Sequence, residues 1–140
     1  MKKKYEKVYD AYSKKILTNI QVVINIMKYC IPEYQNLSKE EILNCLDIDK
    51  NNPNSIAILP SDDIEIPNSK ISYDVLFLAR IPHSKEKMSM YINLEAQNDS
   101  NREYPLVTRA IYYASRLISR QKNKSFTKQR VKPKCFSLGI

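Results

Sequence analysis

The amino-acid sequence predicts a single α/β domain of 140 residues, in which helices flank a central mixed sheet. Apolar residues recur every three or four positions over residues 5–29 and again over residues 104–121, which indicates two long helices. Between them, residues 70–80 and 88–97 are rich in β-branched and aromatic side chains and predict two strands. With 43% apolar residues, the chain can build one hydrophobic core but not a second domain of ordinary size.

The N-terminal third is predicted to be helical and the segment after it irregular. Pro32 ends the first predicted helix, because proline cannot continue the helical hydrogen bonding. A short second helix is expected after Ser38, which forms with Glu41 the S-x-x-E spacing of a capping box. Residues 51–54, Asn-Asn-Pro-Asn, predict a loop, and residues 56–59 predict a weak strand.

Residues 81–87 form a polar connection between the two predicted strands. Its length suits a hairpin, so we expect the strands to pair antiparallel. The helix that opens at residues 104–105 is expected to pack on this sheet through one apolar face. That face is made of Leu106, Val107, Ala110, Ile111, Ala114, Leu117 and Ile118. Residues 122–140 are expected to form a basic tail or, over residues 134–140, a last strand.

The charge of the chain favours a polyanionic partner. Lysine and arginine number 23 against 15 acidic residues, which gives a formal net charge of +8. DNA is the first candidate partner and an anionic membrane surface the second, while a plain compositional bias is the third explanation. The N-terminus lacks the apolar segment of a signal peptide, and the apolar stretch at residues 16–31 is interrupted by polar residues. We therefore expect a soluble cytoplasmic protein without a membrane partner.

Two carboxylates lie inside the predicted strands, where an unpaired charge is costly to bury. A hairpin centred near Ser84 would bring Asp74 and Glu95 to the same end of the sheet. Their oxygens are the ligands that Mg²⁺ or Mn²⁺ prefers, with the backbone carbonyl of Ala96 as a third ligand. Gln97 shares a strand face with Glu95 and would lie beside a metal-bound water.

A row of basic and aromatic side chains on the last predicted helix is a second candidate element of a site. Its members, three or four residues apart, are Arg109, Tyr112, Arg116 and Arg120. They would bind DNA phosphates, or they form an ordinary solvated face opposite the apolar one. The carboxylates also have structural alternatives, with Asp74 as a water-exposed edge residue and Glu95 in a salt bridge with Arg80 or Arg109.

The order of an acidic strand, a hairpin, an E-x-Q strand and a helix opening Tyr-Pro-Leu-Val-Thr-Arg resembles the PD-(D/E)XK nuclease superfamily. Within it, residues 72–121 are most similar to the bacterial PD-(D/E)XK nuclease family transposases and the Rpn-like recombination-promoting nucleases. The resemblance implies a restriction-endonuclease-like core, in which Asp74 and Glu95 bind Mg²⁺ and Gln97 takes the position of the catalytic lysine. Such chains are usually longer, so the C-terminal part is expected to be truncated.

The function that this resemblance implies is a Mg²⁺-dependent DNA endonuclease that acts in recombination or in the mobility of transposable elements. It also allows a homodimer. The alternative is a truncated, catalytically inactive nuclease-like module that binds DNA or another partner. Gln97 is one reason for this alternative, because an amide can hydrogen-bond a water but cannot supply the positive charge of lysine.

Overall fold

The computed structural model describes residues 2–60, 62–63, 71–72, 74–83, 89–96, 105–121 and 135–139. These residues form a mixed α/β structure, as the sequence predicts. The helices are α1 (Lys2–Leu17), α2 (Ile20–Cys30), α3 (Lys39–Asn44) and α4 (Leu106–Gln121), with a 3₁₀ turn at Pro32–Tyr34. The strands are β1 (Ile48–Asp49), β2 (Asn52–Ile56), β3 (Asp62–Asp63), β4 (Ile71–Ser72), β5 (Val75–Arg80), β6 (Ser89–Glu95) and β7 (Cys135–Gly139).

The central sheet consists of β5, β6 and β7 in that order. β5 and β6 pair antiparallel, with Val75 opposite Leu94, which confirms the predicted pairing. β7 pairs parallel to β6, with Glu95 opposite Gly139. For residues 134–140 the sequence allowed either a tail or a last strand, and β7 is that strand. α4 lies between β6 and β7 in the chain and packs along β7, as a crossover between parallel strands requires.

The N-terminal helical segment is two helices rather than the single helix that the apolar spacing predicts. α1 ends at Leu17 and α2 begins at Ile20. Asn19 starts α2, because its side-chain oxygen accepts hydrogen bonds from the backbone N–H groups of Gln21 and Val22 at 3.0 and 3.3 Å. The spacing of apolar residues continues across the break, so periodicity alone does not reveal it.

The two N-terminal helices differ in how much apolar surface they bury. α2 contributes four side chains to the core, namely Ile20, Val23, Ile24 and Met27. α1 leaves large apolar side chains exposed, with Tyr5 at 70% and Ile16 at 57% of full accessibility. Despite these apolar faces, none of the described helices is both long and apolar enough to cross a membrane.

The segment after α3 is more regular than the sequence predicts. Residues 51–54, predicted as a loop, belong mostly to β2, which pairs antiparallel with β1. A short polar side chain closes the turn, because the Asp49 carboxylate accepts a hydrogen bond from the backbone N–H of Asn51 at 2.9 Å. The weak strand predicted for residues 56–59 is confined to Ile56, where β2 ends.

The strand predicted over residues 70–80 is divided into β4 and β5. β4 pairs with β3 in a small sheet of its own, so the run of apolar residues serves two different sheets. Asp74 therefore lies in a bend immediately before β5 and not inside a continuous strand. The second predicted strand, over residues 88–97, corresponds to β6, which ends at Glu95.

Polar contacts attach the region around α3 to the end of β5. The predicted capping box is present, since Ser38 Oγ accepts from the Glu41 N–H at 3.1 Å and Glu41 Oε2 accepts from the Ser38 N–H at 2.7 Å. The buried Tyr34 hydroxyl donates to the carbonyl of Arg80 at 2.9 Å, and its burial raises the pKa of Tyr34. The Arg80 guanidinium in turn pairs with Asp47 at 2.8 Å.

The central sheet has two unlike faces. One face packs with the N-terminal helices in the main hydrophobic core through Val75, Phe77, Ala79, Met90, Ile92 and Leu94. On the other face, Leu76 packs with Leu117 of α4 and with the half-buried Tyr113. Strand alternation assigns Asn93 and Glu95 to this second face, because Leu94 between them points to the first.

α4 is rotated relative to the orientation that its apolar residues predict. Leu117 is buried as expected, but Val107 and Ile111 of the predicted packing face are 70% and 62% exposed. Arg109 and Arg116, predicted to lie opposite that face, are half-buried instead. The sheet face that α4 covers contains a buried carboxylate and a buried amide, which basic side chains complement better than apolar ones.

Candidate functional site

The first carboxylate, that of Asp74, lies beside the end of β6. Val75 pairs with Leu94, so Asp74 comes level with the C-terminal end of that strand. The backbone N–H of Ala96 donates a hydrogen bond to the Asp74 carboxylate at 2.9 Å. This bond holds one oxygen of Asp74 next to the residue that follows Glu95.

The second carboxylate, that of Glu95, is almost completely buried. Its side chain keeps 7% of full accessibility. One carboxylate oxygen accepts a hydrogen bond from Asn93 Nδ2 at 3.3 Å, and the other lies 3.2 Å from Nη2 of Arg109. A buried carboxylate retains its charge only with partners of this kind, because water no longer solvates it.

Arg109 reaches Glu95 from the first turn of α4. Its backbone N–H donates to the carbonyl of Pro105 at 3.1 Å, and its side chain is 15% exposed. The Glu95–Arg109 salt bridge, one of the structural alternatives for this carboxylate, is therefore present. Arg80, the other partner considered for Glu95, pairs with Asp47 instead.

The four residues predicted to form one row on α4 have different environments. Tyr112 is 48% exposed, and its ring centroid lies 6.1 Å from that of Tyr113. Arg116 is half-buried, and its Nε and Nη2 atoms are inaccessible to solvent. Arg120 lies within α4, but its side chain is outside what the structure describes. Arg109 is directed at β6 and Arg116 is half-buried, so these two arginines do not lie on a solvated helix face, whereas Tyr112 is exposed.

Asn93 belongs to this site although the sequence reasoning did not select it. It is completely buried and donates its amide hydrogen bond to Glu95. A signal was available, because Asn93 is a polar residue of an apolar strand and shares a face with the residue two positions later. Gln97, which was selected by the same two-residue rule on the other side of Glu95, lies outside the described residues.

The donor atoms at this end of the sheet match the chemistry of a small divalent cation. Mg²⁺ binds hard oxygen atoms, and one or two carboxylates suffice because the ion keeps several water ligands. Asp74 and Glu95 supply two carboxylates. The Arg109 guanidinium lies against the Glu95 carboxylate, so this carboxylate already has one positively charged partner. Within the described ranges, no group of three or more His, Cys, Asp or Glu side chains could hold an ion.

Known proteins provide no relative from which a function could be transferred to this chain. No family model, no curated protein and no solved structure matches it. The functional assignment therefore depends on the residues and on their geometry.

Proposed function

We propose that this protein is a metal-dependent DNA endonuclease with a restriction-endonuclease-like core. The observation that carries the proposal is the buried Glu95 carboxylate at the end of β6, adjacent to the Ala96 N–H that holds Asp74. A carboxylate buried at such a position reduces the stability of the fold unless it binds a cation or pairs with one. The antiparallel β5–β6 pair, the crossover helix α4 and the parallel strand β7 support the proposed core.

The acidic residues would hold the metal while two amides orient the reacting groups. Asp74 and Glu95 would each give a carboxylate oxygen to Mg²⁺ or Mn²⁺, and Ala96 would give its backbone carbonyl. When bound, the ion supplies a Lewis acid for a phosphate oxygen and a water of lowered pKa. Gln97 orients the attacking water by hydrogen bonding, and Asn93 keeps the Glu95 carboxylate in place.

DNA is the substrate that the charge of the chain supports. The formal net charge is +8, and Arg109 of α4 lies against the Glu95 carboxylate at the end of β6. Arg109, Arg116 and Arg120 would contact phosphates, and the exposed Tyr112 would stack or donate a hydrogen bond. Such contacts release counterions, so DNA affinity should fall steeply as salt rises. The biological role proposed is DNA cleavage in recombination or in the mobility of transposable elements.

A catalytically inactive DNA-binding module is the second candidate, and one observation favours it. Arg109 already pairs with Glu95, so this carboxylate has a cationic partner within the protein. In addition, Gln97 cannot supply the charge that a lysine would bring to the same position. In the inactive module, Asp74 and Glu95 would have a structural role, and the arginines of α4 would bind DNA.

Plasmid nicking with Mg²⁺ or Mn²⁺, combined with measurement of Mn²⁺ binding, separates the two candidates. The variants are Asp74→Asn and Glu95→Gln, which remove charge but keep shape. Asp10→Asn on α1, an exposed residue far along the chain from the site, is the matched control. For the endonuclease, we expect nicking and Mn²⁺ binding in the wild type and in the control and neither in the site variants.

The other outcomes identify what is wrong. Nicking that persists in both site variants would exclude the proposed site. DNA binding without Mn²⁺ binding or nicking would support the inactive module. Mn²⁺ binding that requires Glu95, without nicking under any metal, would leave the metal site in place and reject the endonuclease.

A further inference from the structure

The Glu95–Arg109 salt bridge occupies the oxygen that a metal ion would need. Arg109 Nη2 lies 3.2 Å from Glu95 Oε2, while Asn93 Nδ2 lies 3.3 Å from Oε1. Both ionic side chains are largely buried, at 15% and 7% accessibility, so neither is solvated as a surface ion would be. The carboxylate is therefore held by an internal cation.

We infer that Arg109 is a resident counter-cation of Glu95 and that binding of a divalent metal releases it toward a DNA phosphate. This inference rests on the proposed metal site. A divalent ion on Glu95 would stand within a few ångströms of the guanidinium, where two positive charges repel strongly because little water screens them. Metal and Arg109 therefore compete for the same carboxylate.

The position of Arg109 allows it to exchange one anion for another. It lies in the first turn of α4, on a long side chain whose guanidinium forms planar, paired hydrogen bonds with carboxylates and phosphates alike. Once the metal binds the Glu95 carboxylate, a DNA phosphate would replace that carboxylate as the anion that pairs with Arg109. Metal binding and DNA binding should then strengthen each other, since coupling between two sites is reciprocal.

The metal side of this exchange is tested by the affinity of the full chain for Mn²⁺, followed by electron paramagnetic resonance at mildly alkaline pH. Arg109→Met removes the charge and keeps much of the side-chain length. We expect it to bind Mn²⁺ about fivefold more tightly or better, because the competitor is gone. Arg109→Lys should stay near the wild type, and Lys14→Met, which removes one exposed charge on α1, should have no effect.

The DNA side is tested without any metal. In a chelating buffer, Glu95→Gln should bind a short fluorescent DNA duplex about fivefold more tightly than Asp10→Asn, because only the first change removes the negative charge that pairs with Arg109. The double variant Glu95→Gln/Arg109→Met should lose this gain. This measurement uses neither an ion nor the single variant Arg109→Met. It therefore still tests the exchange if that single variant fails to fold.

The failures of the two proposals differ. Mn²⁺ binding that is absent, or insensitive to Glu95→Gln, would reject the metal site itself. Mn²⁺ binding that requires Glu95 but is equal or weaker in Arg109→Met would keep the metal site and overturn the exchange. DNA affinities of Glu95→Gln and Asp10→Asn that agree in the chelating buffer would also overturn it.

Discussion

The two faces of the central sheet contrast in their chemistry although they share the same strands. The face toward the N-terminal helices is entirely apolar, with side chains such as Phe77 and Ile92 at 1% and 0% accessibility. The face toward α4 combines a small apolar cluster around Leu76 with the buried Asn93 and Glu95. One strand thus contributes alternately to a core and to a polar site.

With the proposed site on the second face, this contrast would separate residues that stabilise the fold from residues that act in the site. Apolar burial on the first face supplies most of the favourable free energy, because it removes the largest continuous apolar area from water. The Glu95 carboxylate on the second face is paired with Asn93 and Arg109, so it is tolerated rather than stabilising. Changes on the two faces should therefore affect different measurements.

The largest effect is expected for an amide moved to the apolar face. Ile92→Asn places an unpartnered polar group in the main core and removes a fully buried apolar side chain. We expect a loss of about 4 kcal/mol or more in the free energy of unfolding, measured by chemical denaturation. Ile58→Asn, at a site that is 52% exposed, should change it by less than about 0.5 kcal/mol. Similar losses at both positions would contradict the burial of Ile92 in an apolar core.

A smaller, functional effect is expected one residue later in β6. Asn93→Leu removes the hydrogen bond to Glu95, but Glu95 keeps Arg109 as a partner. The free energy of unfolding should therefore change by only about 1 kcal/mol. The affinity for Mn²⁺ should fall roughly tenfold, because residues that orient a metal ligand tune its binding. Asn36→Leu on the exposed surface is the control. An unchanged Mn²⁺ affinity would show that Asn93 does not position Glu95.

The smallest effect on stability is expected for the capping box of α3. Hydrogen bonds from Ser38 lower the pKa of Glu41 below its ordinary value of 4.5. Because the folded pKa is the lower one, this stabilisation is present above the unfolded pKa and is lost as the pH falls through the folded pKa. Glu41→Gln should therefore melt below the wild type at neutral pH and approach it in acid.

The control for that measurement is Glu40→Gln, at the neighbouring position of the same helix and outside the capping box. It should show a smaller difference between neutral and acidic pH. A pH-independent difference between the wild type and Glu41→Gln would mean that the capping hydrogen bonds do not depend on the charge of Glu41.

Local signals in the sequence predicted the elements that depend on neighbouring residues. The capping box at Ser38, the antiparallel pairing of β5 with β6 and the helix after residue 105 are all present. The break at Asn19 was missed because its hydrogen bonds are local but leave the apolar spacing intact. The split of residues 70–80 was missed because the apolar run continues across the boundary, although β4 pairs with β3 in a sheet separate from that of β5.

By itself, the sequence determined the α/β class, the strand pairing and the presence of acidic residues at one end of the sheet, because these follow from periodicity and loop length. Only the tertiary structure decided which way α4 turns. Its apolar residues predicted a different rotation about the helix axis, with Val107 as well as Leu117 toward the sheet. The buried charge of Glu95 requires a cation nearby, so Arg109 points inward and Val107 lies in solvent. That choice depends on a contact between residues that no local pattern connects.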